Sequence, residues 1–334
     1  MSKKLIKVDD KLSKSKYKQI IDSIIVSINE GKLCKGDLMP SINQVCADWG
    51  LSRDTVISAY NELKARGIIT SSPGKGYYVD SITTMFKHKI FVLFDELNAF
   101  KEDLYSSFLE ALDGKAQVDI YFHHFNRKIF DSLIKDNNGN YTTYILMPTK
   151  FEGVQSTLQS LTGKVIILDQ LPSELGNSYS SVFQNFEKDV YNALKSRLDL
   201  LEKYKKIVMV YPGGKEPEGE FKGFQKFCKD YKINHQVIDN LNEVKISKGE
   251  AYIAIWDRDL VLLVNQAKEL GLQLGQDLGI ISYNDTSLKQ VVVNGITTIS
   301  TDFKLMGKTL AELVFDKRVI LIENPSSLVV RGSL

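Results

Sequence analysis

The sequence predicts an α/β protein in which an N-terminal winged helix-turn-helix precedes a larger, doubly wound α/β domain built as two lobes. Three observations carry that expectation. Residues 31–79 read as two short helices separated by a single glycine, then two strand-like runs around a Gly-x-Gly tip. From residue 89 onward, short apolar runs alternate with amphipathic stretches, the pattern of a parallel sheet flanked by helices. Seven such runs follow one another, more than one small doubly wound unit needs. The expected organisation is 1–79 for the winged helix, 80–88 for a linker and 89–334 for the two-lobed domain.

The winged helix can be built residue by residue. Pro40 favours an extended residue before it and Ser41 can cap a helix opening at Ile42, whose buried side would hold Val45, Cys46 and Trp49. Gly50 permits the positive φ of a tight turn, and Ser52 supplies the cap of a second helix over 53–66. On that helix Val56, Ala59, Tyr60 and Leu63 share one face, leaving Asp54, Ile57, Ser58 and Asn61 on the other, which would enter a major groove. After Gly67, residues 68–70 read as a strand against 77–79, with 71–76 as the tip. Two glycines around Lys75 suit a wing that tracks phosphates or a minor groove.

The larger domain shows apolar runs at 90–94, 117–122, 144–147, 164–169, 206–211, 251–256 and 278–283. The first four are expected to build one lobe and the later three the other. Net charge is +2, but residues 1–80 carry thirteen Lys+Arg against nine Asp+Glu, so the positive charge sits with the winged helix. Lys3, Lys4, Lys7, Lys11, Lys14, Lys16 and Lys18 form either a phosphate-reaching arm or a solvated terminus. Cys34, Cys46 and Cys228 have no metal or redox spacing and read as reduced core residues of a cytoplasmic protein. No run approaches the roughly 20 apolar residues of a membrane span. His123 and His124 are adjacent and would point to opposite faces of a strand, which argues against a metal site. Pro212-Gly213-Gly214-Lys215 lacks the Walker spacing, and no nucleophile elbow or acid–base dyad appears, so no catalytic residue and no cofactor are expected.

Residues 15–79 resemble the winged-helix domain of the GntR family of bacterial regulators, through Gly31, Leu33, Gly36, Pro40-Ser41, Ser52-Arg53, Thr55-Val56, Ala59-Tyr60, Leu63, Gly67 and Gly74-x-Gly76. The resemblance implies binding to a double-stranded, pseudo-palindromic operator through Ser41, Asn43, Ser52, Arg53, Thr55, Ile57, Ser58, Asn61 and Lys75. Asn43 and Ile57 stand where that family usually has arginine, which implies an altered operator preference; Ile57 could touch a thymine methyl or pack on a neighbouring helix. The last third is similar to the sugar-sensing domain of LacI/GalR repressors, a fold shared with periplasmic binding proteins. It shows, in order, Gly271, Gly275-x-Asp277, Asn284-Asp285-Thr286, Thr297-Thr298, Met306-Gly307 and Arg331-Gly332-Ser333. The combination resembles bacterial arabinose repressors and implies a homodimeric, cytoplasmic repressor released by a monosaccharide such as a pentose or deoxyhexose.

Ligands of open α/β sheets bind at the carboxyl ends of strands. The effector candidates there are Phe100, Asp169, Glu220, Trp256, Asp257, Arg258 and Asn284. Carboxylates and amides would hold hydroxyls while an aromatic ring covers the apolar face of a sugar. Trp256 has core filling as its rival role, and Asp285 a helix cap. Glu220 stands where LacI-like domains commonly have a sugar-gripping arginine, so either Glu220 takes over that place or Arg258 supplies the cation. Two other functional readings stay open at this point: a winged helix used for protein docking, and a non-sugar or corepressor ligand.

Overall fold

In the computed structural model, which describes residues 5–9, 14–81, 88–242 and 244–334, the chain divides into two compact units. One comprises the described residues up to Glu96 with Leu112–Leu168 and Pro172–Ser180; the other holds Leu97–Ala111, Asp169–Leu171 and Ser181–Leu334.

The first unit opens with helix α1 (Lys16–Asn29), which buries Ile20, Ile21, Ile24 and Ile28 on one face. Ser41 caps α2 (Ile42–Trp49), its hydroxyl accepting from Gln44 N at 3.2 Å, and Gly50 ends the helix in the left-handed conformation, φ 60°. Ser52 caps α3 (Arg53–Ala65) in the same way. Val56, Ala59, Tyr60 and Leu63 are completely buried against α1 and Val45, and the Tyr60 hydroxyl donates to Pro40 O at 2.6 Å, fixing the crossing of α2 and α3. Cys46 and Trp49 are only half-buried, and Cys34 is exposed rather than a core thiol. The wing pairs β1 (Ile69–Ser72) with β2 (Gly76–Val79) antiparallel, Ser72 opposite Gly76. Its tip is therefore only Pro73-Gly74-Lys75, tighter than the six-residue tip expected, because Gly76 at φ 106° lets the ladder continue to the turn. Of the lysine arm, Lys3, Lys4 and Lys11 lie outside the described residues, and Lys14 is paired with Asp22.

Residues 82–87 of the expected linker also lie outside the described residues, and His88 already begins β3 (His88–Phe94). After α4 (Ala99–Leu112) follow β4 (Ala116–Phe122), α5 (Arg127–Asn137), β5 (Thr143–Leu146), α6 (Gln155–Gln159) and β6 (Lys164–Asp169). These strands are parallel in the order β6-β5-β3-β4. Strand β4 stops at Phe122, and His124 takes φ 49°, so the histidine pair is not in a strand. His123 is buried with Nε2 2.9 Å from Met147 O, packed on Phe130 and Phe151.

The second unit pairs β7 (Ser180–Phe183) with β13 (Leu321–Glu323) in parallel. Its main sheet runs β14-β12-β11-β10-β8-β9, all parallel except the edge strand β14. Here β8 is Lys206–Val210, β9 His235–Ile238, β10 Glu250–Ala254, β11 Gly279–Tyr283, β12 Thr297–Thr301 and β14 Ser326–Val329. Alternation explains the layering: Ile207, Met209, Ile253 and Ile281 face Phe224 and Phe227 on one side. Val208, Val210, Tyr252 and Ile280 face Leu260 and Leu263 on the other. The covers come from α7 (Phe186–Ser196) with the short α8 (Leu198–Leu201) and α9 (Glu218–Asp230) on the first side and α10 (Asp257–Glu269) on the second, while α11 (Ser287–Val291) follows β11 and α12 (Phe303–Phe315) packs on α4. The terminal Arg331-Gly332-Ser333 knits the sheet: Ser333 Oγ accepts from Thr297 N at 2.8 Å and donates to Ile280 O at 2.6 Å.

Candidate functional site

The sequence-predicted DNA contacts divide between α3, the start of α2 and the wing tip. Arg53 is exposed at the start of α3, and its Nη1 donates to Asn43 Oδ1 at 2.6 Å. The asparagine thus orients the one arginine retained at its expected place. Ser52 Oγ lies 2.8 Å from Thr55 Oγ1 while it caps the helix, so neither hydroxyl hangs free of the backbone geometry. Ser41 is exposed but engaged as a cap; Ile57 and Ser58 are half-buried. Lys75 is exposed at the wing tip, with Tyr78 donating its hydroxyl to Lys75 O. Asn61 is half-buried, because the turn at Gly139 stands against its amide.

All seven effector candidates fall in the second unit, but they do not form one cluster. Trp256 follows β10, and its Nε1 donates to Glu216 Oε1 at 2.6 Å while the Arg258 guanidinium lies 4.0 Å from the ring centroid. One face of the indole is therefore covered and its edge is tethered. Tyr211, after β8, donates to Glu216 O and stacks on Phe221, extending the aromatic wall. Glu220, in the first turn of α9, is 2% exposed. Burial holds the Tyr283 phenol well above its ordinary range, and the charges of Glu220, Asp189, Asp169 and Glu216 add to the effect. Asp169 is itself held at φ 75° with Gln184 donating to its carboxylate, and Gln184 in turn accepts from Thr301. Asn284, at φ 59°, keeps a buried side-chain oxygen that accepts no hydrogen bond.

Asp257 points elsewhere. Its carboxylate pairs with Lys289 at 2.8 Å, and Lys289, 4% exposed, also donates to Tyr283 O and Asn284 O. These two residues line a groove of about 540 Å³ with Ala99, Leu260, Val261 and Leu288. Phe100 packs on Phe303, ring centroids 4.8 Å apart. Asp285 does not cap a helix: it takes a two-pronged pair from Arg331 and a hydroxyl from Thr298. Tyr211 was legible as a strand-end residue, whereas Glu216, Gln184 and Lys289 escape sequence reading. Glu216 had a signal, an acid in a glycine-rich loop after a strand; Gln184 follows a strand of only four residues and had none. Among the described residues no group of three or more His, Cys, Asp or Glu is placed to hold a metal, and no helix is long and apolar enough to cross a membrane.

A DNA-reading winged helix joined to a two-lobed α/β receptor of periplasmic-binding type is the architecture of a ligand-responsive regulator. Residues 16–79 match the model described as bacterial regulatory proteins, gntR family, and residues 200–334 the periplasmic binding protein-like domain. The transcriptional repressor YtrA of Bacillus subtilis (strain 168) is 30% identical over 95 residues, 28% of this chain and 73% of that protein. The uncharacterized HTH-type transcriptional regulator YcxD of the same organism is 38% identical over 64 residues, 19% of this chain, and the chain spans 14% of its length. The chain belongs to the gntR family of bacterial regulatory proteins. Two solved structures show the receptor fold, each covered to 98%. A LacI family regulator from Enterococcus faecium with bound ribose has 19% identity, TM-score 0.60 and 73% of this chain. The LacI family regulator CCPA from Weissella paramesenteroides with bound sucrose has 17% identity, TM-score 0.59 and 74% of this chain.

Proposed function

We propose that this chain is a sugar-responsive transcriptional repressor acting as a cytoplasmic homodimer. Winged helices over 1–79 read the two halves of an operator, and residues 89–334 sense a monosaccharide of pentose or deoxyhexose kind that releases the DNA. The observation that carries the effector reading is the tethered indole of Trp256 at a strand's carboxyl end, held by Glu216 with Arg258 over one face. An aromatic plate fixed on one face can cover the apolar side of a sugar ring, and acids and amides can hold its hydroxyls. The sugars held by the two solved regulators fit the same chemistry. The reading assigns no catalytic residue, metal or cofactor.

A homodimer is supported by an apolar face. Val261, Leu288, Val291 and Val292 are 56%, 73%, 74% and 39% exposed around the groove between α4, α10 and α11. Apolar surface grouped this way marks an interaction site. A thermal-shift screen of monosaccharides, sugar phosphates, amino acids and nucleotides tests the effector class: a ligand at 100 times its Kd stabilises by about 2.7 kcal/mol. Stabilisation by a neutral monosaccharide supports the reading; stabilisation only by an amino acid or nucleotide refutes it.

A further inference from the structure

The outward face of α3 is not open along its whole length. Asp54, Ser58, Asn61 and Ala65 share that face, opposite Val56, Ala59, Tyr60 and Leu63. Arg53 and Asp54 are exposed, whereas Asn61 is half-buried and Ala65 only 2% exposed. Over Asn61 the cover is the turn between α5 and β5. A Cβ on Gly139 would stand 3.0 Å from Asn61 Cγ, and Gly139, although it sits in a turn after a helix, is buried.

This turn is built stiffly. The fully buried Tyr144 accepts from Gly139 N at 2.9 Å and donates to Asn137 O at 2.9 Å, while Asn138 binds Ser160 O and Thr162 N. Gly139 needs to be glycine twice over: φ is 79°, and a side chain would meet Asn61. Burial, reinforced by Arg66, lowers the His88 imidazole below its ordinary value, with Glu62 opposing, and burial with the Lys89 charge lowers Lys64.

We propose that the Asn137–Asn140 turn is a latch for the reading head: it seats the C-terminal half of the recognition helix's outward face and competes with the operator for it. A helix of 13 residues is about 20 Å long, and lying in a major groove about 8.5 Å deep it presents this outward face to the bases. A turn resting on Asn61 occupies the space the groove would fill, so side-on docking requires the latch to open. Asn61 then reads DNA only after leaving Gly139. The latch rests on the DNA-binding reading above, and it supplies a route from receptor to head that does not pass through residues 82–87.

The test locks the joint covalently. Asn61→Cys with Gly139→Cys, in a Cys34→Ser/Cys46→Ser background, brings two thiols within disulfide reach. The reduced variant first selects a duplex from a random library; failure to select any duplex refutes DNA binding and the latch together. In DNA-free protein mild oxidation is expected to form the intramolecular bond, to weaken binding of that duplex by about tenfold or more, and to do so reversibly on reduction. Excess duplex added beforehand is expected to suppress cross-linking. No cross-link in the free protein, or equal binding by the oxidised and reduced forms, overturns the proposal. Because cysteine strains the positive φ of Gly139, Asn61→Cys with Asn140→Cys joined by a short bismaleimide repeats the experiment with that glycine intact, judged by the same outcomes.

Discussion

Replacing Arg331 by alanine should weaken the second unit by about 3 kcal/mol, and the figure follows from its contacts. Nη1 and Nη2 grip the two oxygens of Asp285 at 2.8 and 2.7 Å, and Nη1 also donates to Ile296 O at 2.8 Å. The two side chains are 17% and 21% exposed, so the pair is partly desolvated and worth more than a surface ion pair. Hydrogen bonds to charged groups contribute roughly 1.5–3 kcal/mol, and truncation strands a carboxylate that keeps only Thr298 and Gln290. At about 2–4 °C per kcal/mol, the unfolding midpoint should fall by about 6–12 °C. Burial alone would raise the Asp285 carboxyl, but Arg331, Thr298 and Gln290 outweigh it and hold the group below its usual range. The folded value is thus lower than the unfolded one, so this stability is present above the unfolded pKa and is lost as pH falls through the folded pKa. Calorimetry of wild type and Arg331→Ala should show the gap at neutral pH and its narrowing in acid; a gap under about 0.5 kcal/mol at pH 7 would refute the reasoning.

Three further perturbations have defined outcomes. Arg53→Ala should cost about 1–3 kcal/mol of operator affinity and relax specificity, whereas Lys75→Ala should weaken binding evenly and flatten the salt slope; unchanged binding in both, measured by fluorescence anisotropy, counts against this docking mode. Glu216→Ala frees the Trp256 indole and should weaken effector binding by about 1.5–3 kcal/mol in calorimetry, with Glu216→Gln losing less; equal affinities would show that the tether is irrelevant. Asp189 is buried, and desolvation reinforced by Glu323 raises its carboxyl to about 6. Its folded pKa exceeds the unfolded one, so its contribution is full below the unfolded value and is lost as pH rises through about 6. Asp189→Asn should therefore stabilise by about 2 kcal/mol at pH 8 and flatten the profile between pH 4 and 7, and an unchanged profile would contradict the assignment.

The sequence was most legible where local rules decide. Ser41, Gly50 and Ser52 are capping and turn residues whose roles follow from two or three neighbours, and the seven apolar runs all became strands. The short strands β7, β13 and β14, of three or four residues, carry too little alternation to be read. At the candidate effector residues the limit was direction. Trp256 and Asp257 are adjacent, yet one begins as a cap and the other turns onto the helix, so Trp256 meets Glu216 and Asp257 meets Lys289. Sequence gives the order of these residues but not the face each takes. Asn61 shows the same limit: its place on the outward face of α3 was readable, but its burial against Gly139, 78 positions on, arises from packing between distant segments.

The most direct test of the account is a single titration: a selected operator duplex bound to the full-length protein, followed by anisotropy as a monosaccharide that raises the thermal midpoint is added. The account predicts that the protein leaves the duplex over the same concentration range in which the sugar stabilises it, since an effector shifts the equilibrium only through unequal affinity for the two states. A sugar that saturates the receptor while operator affinity stays constant would contradict it.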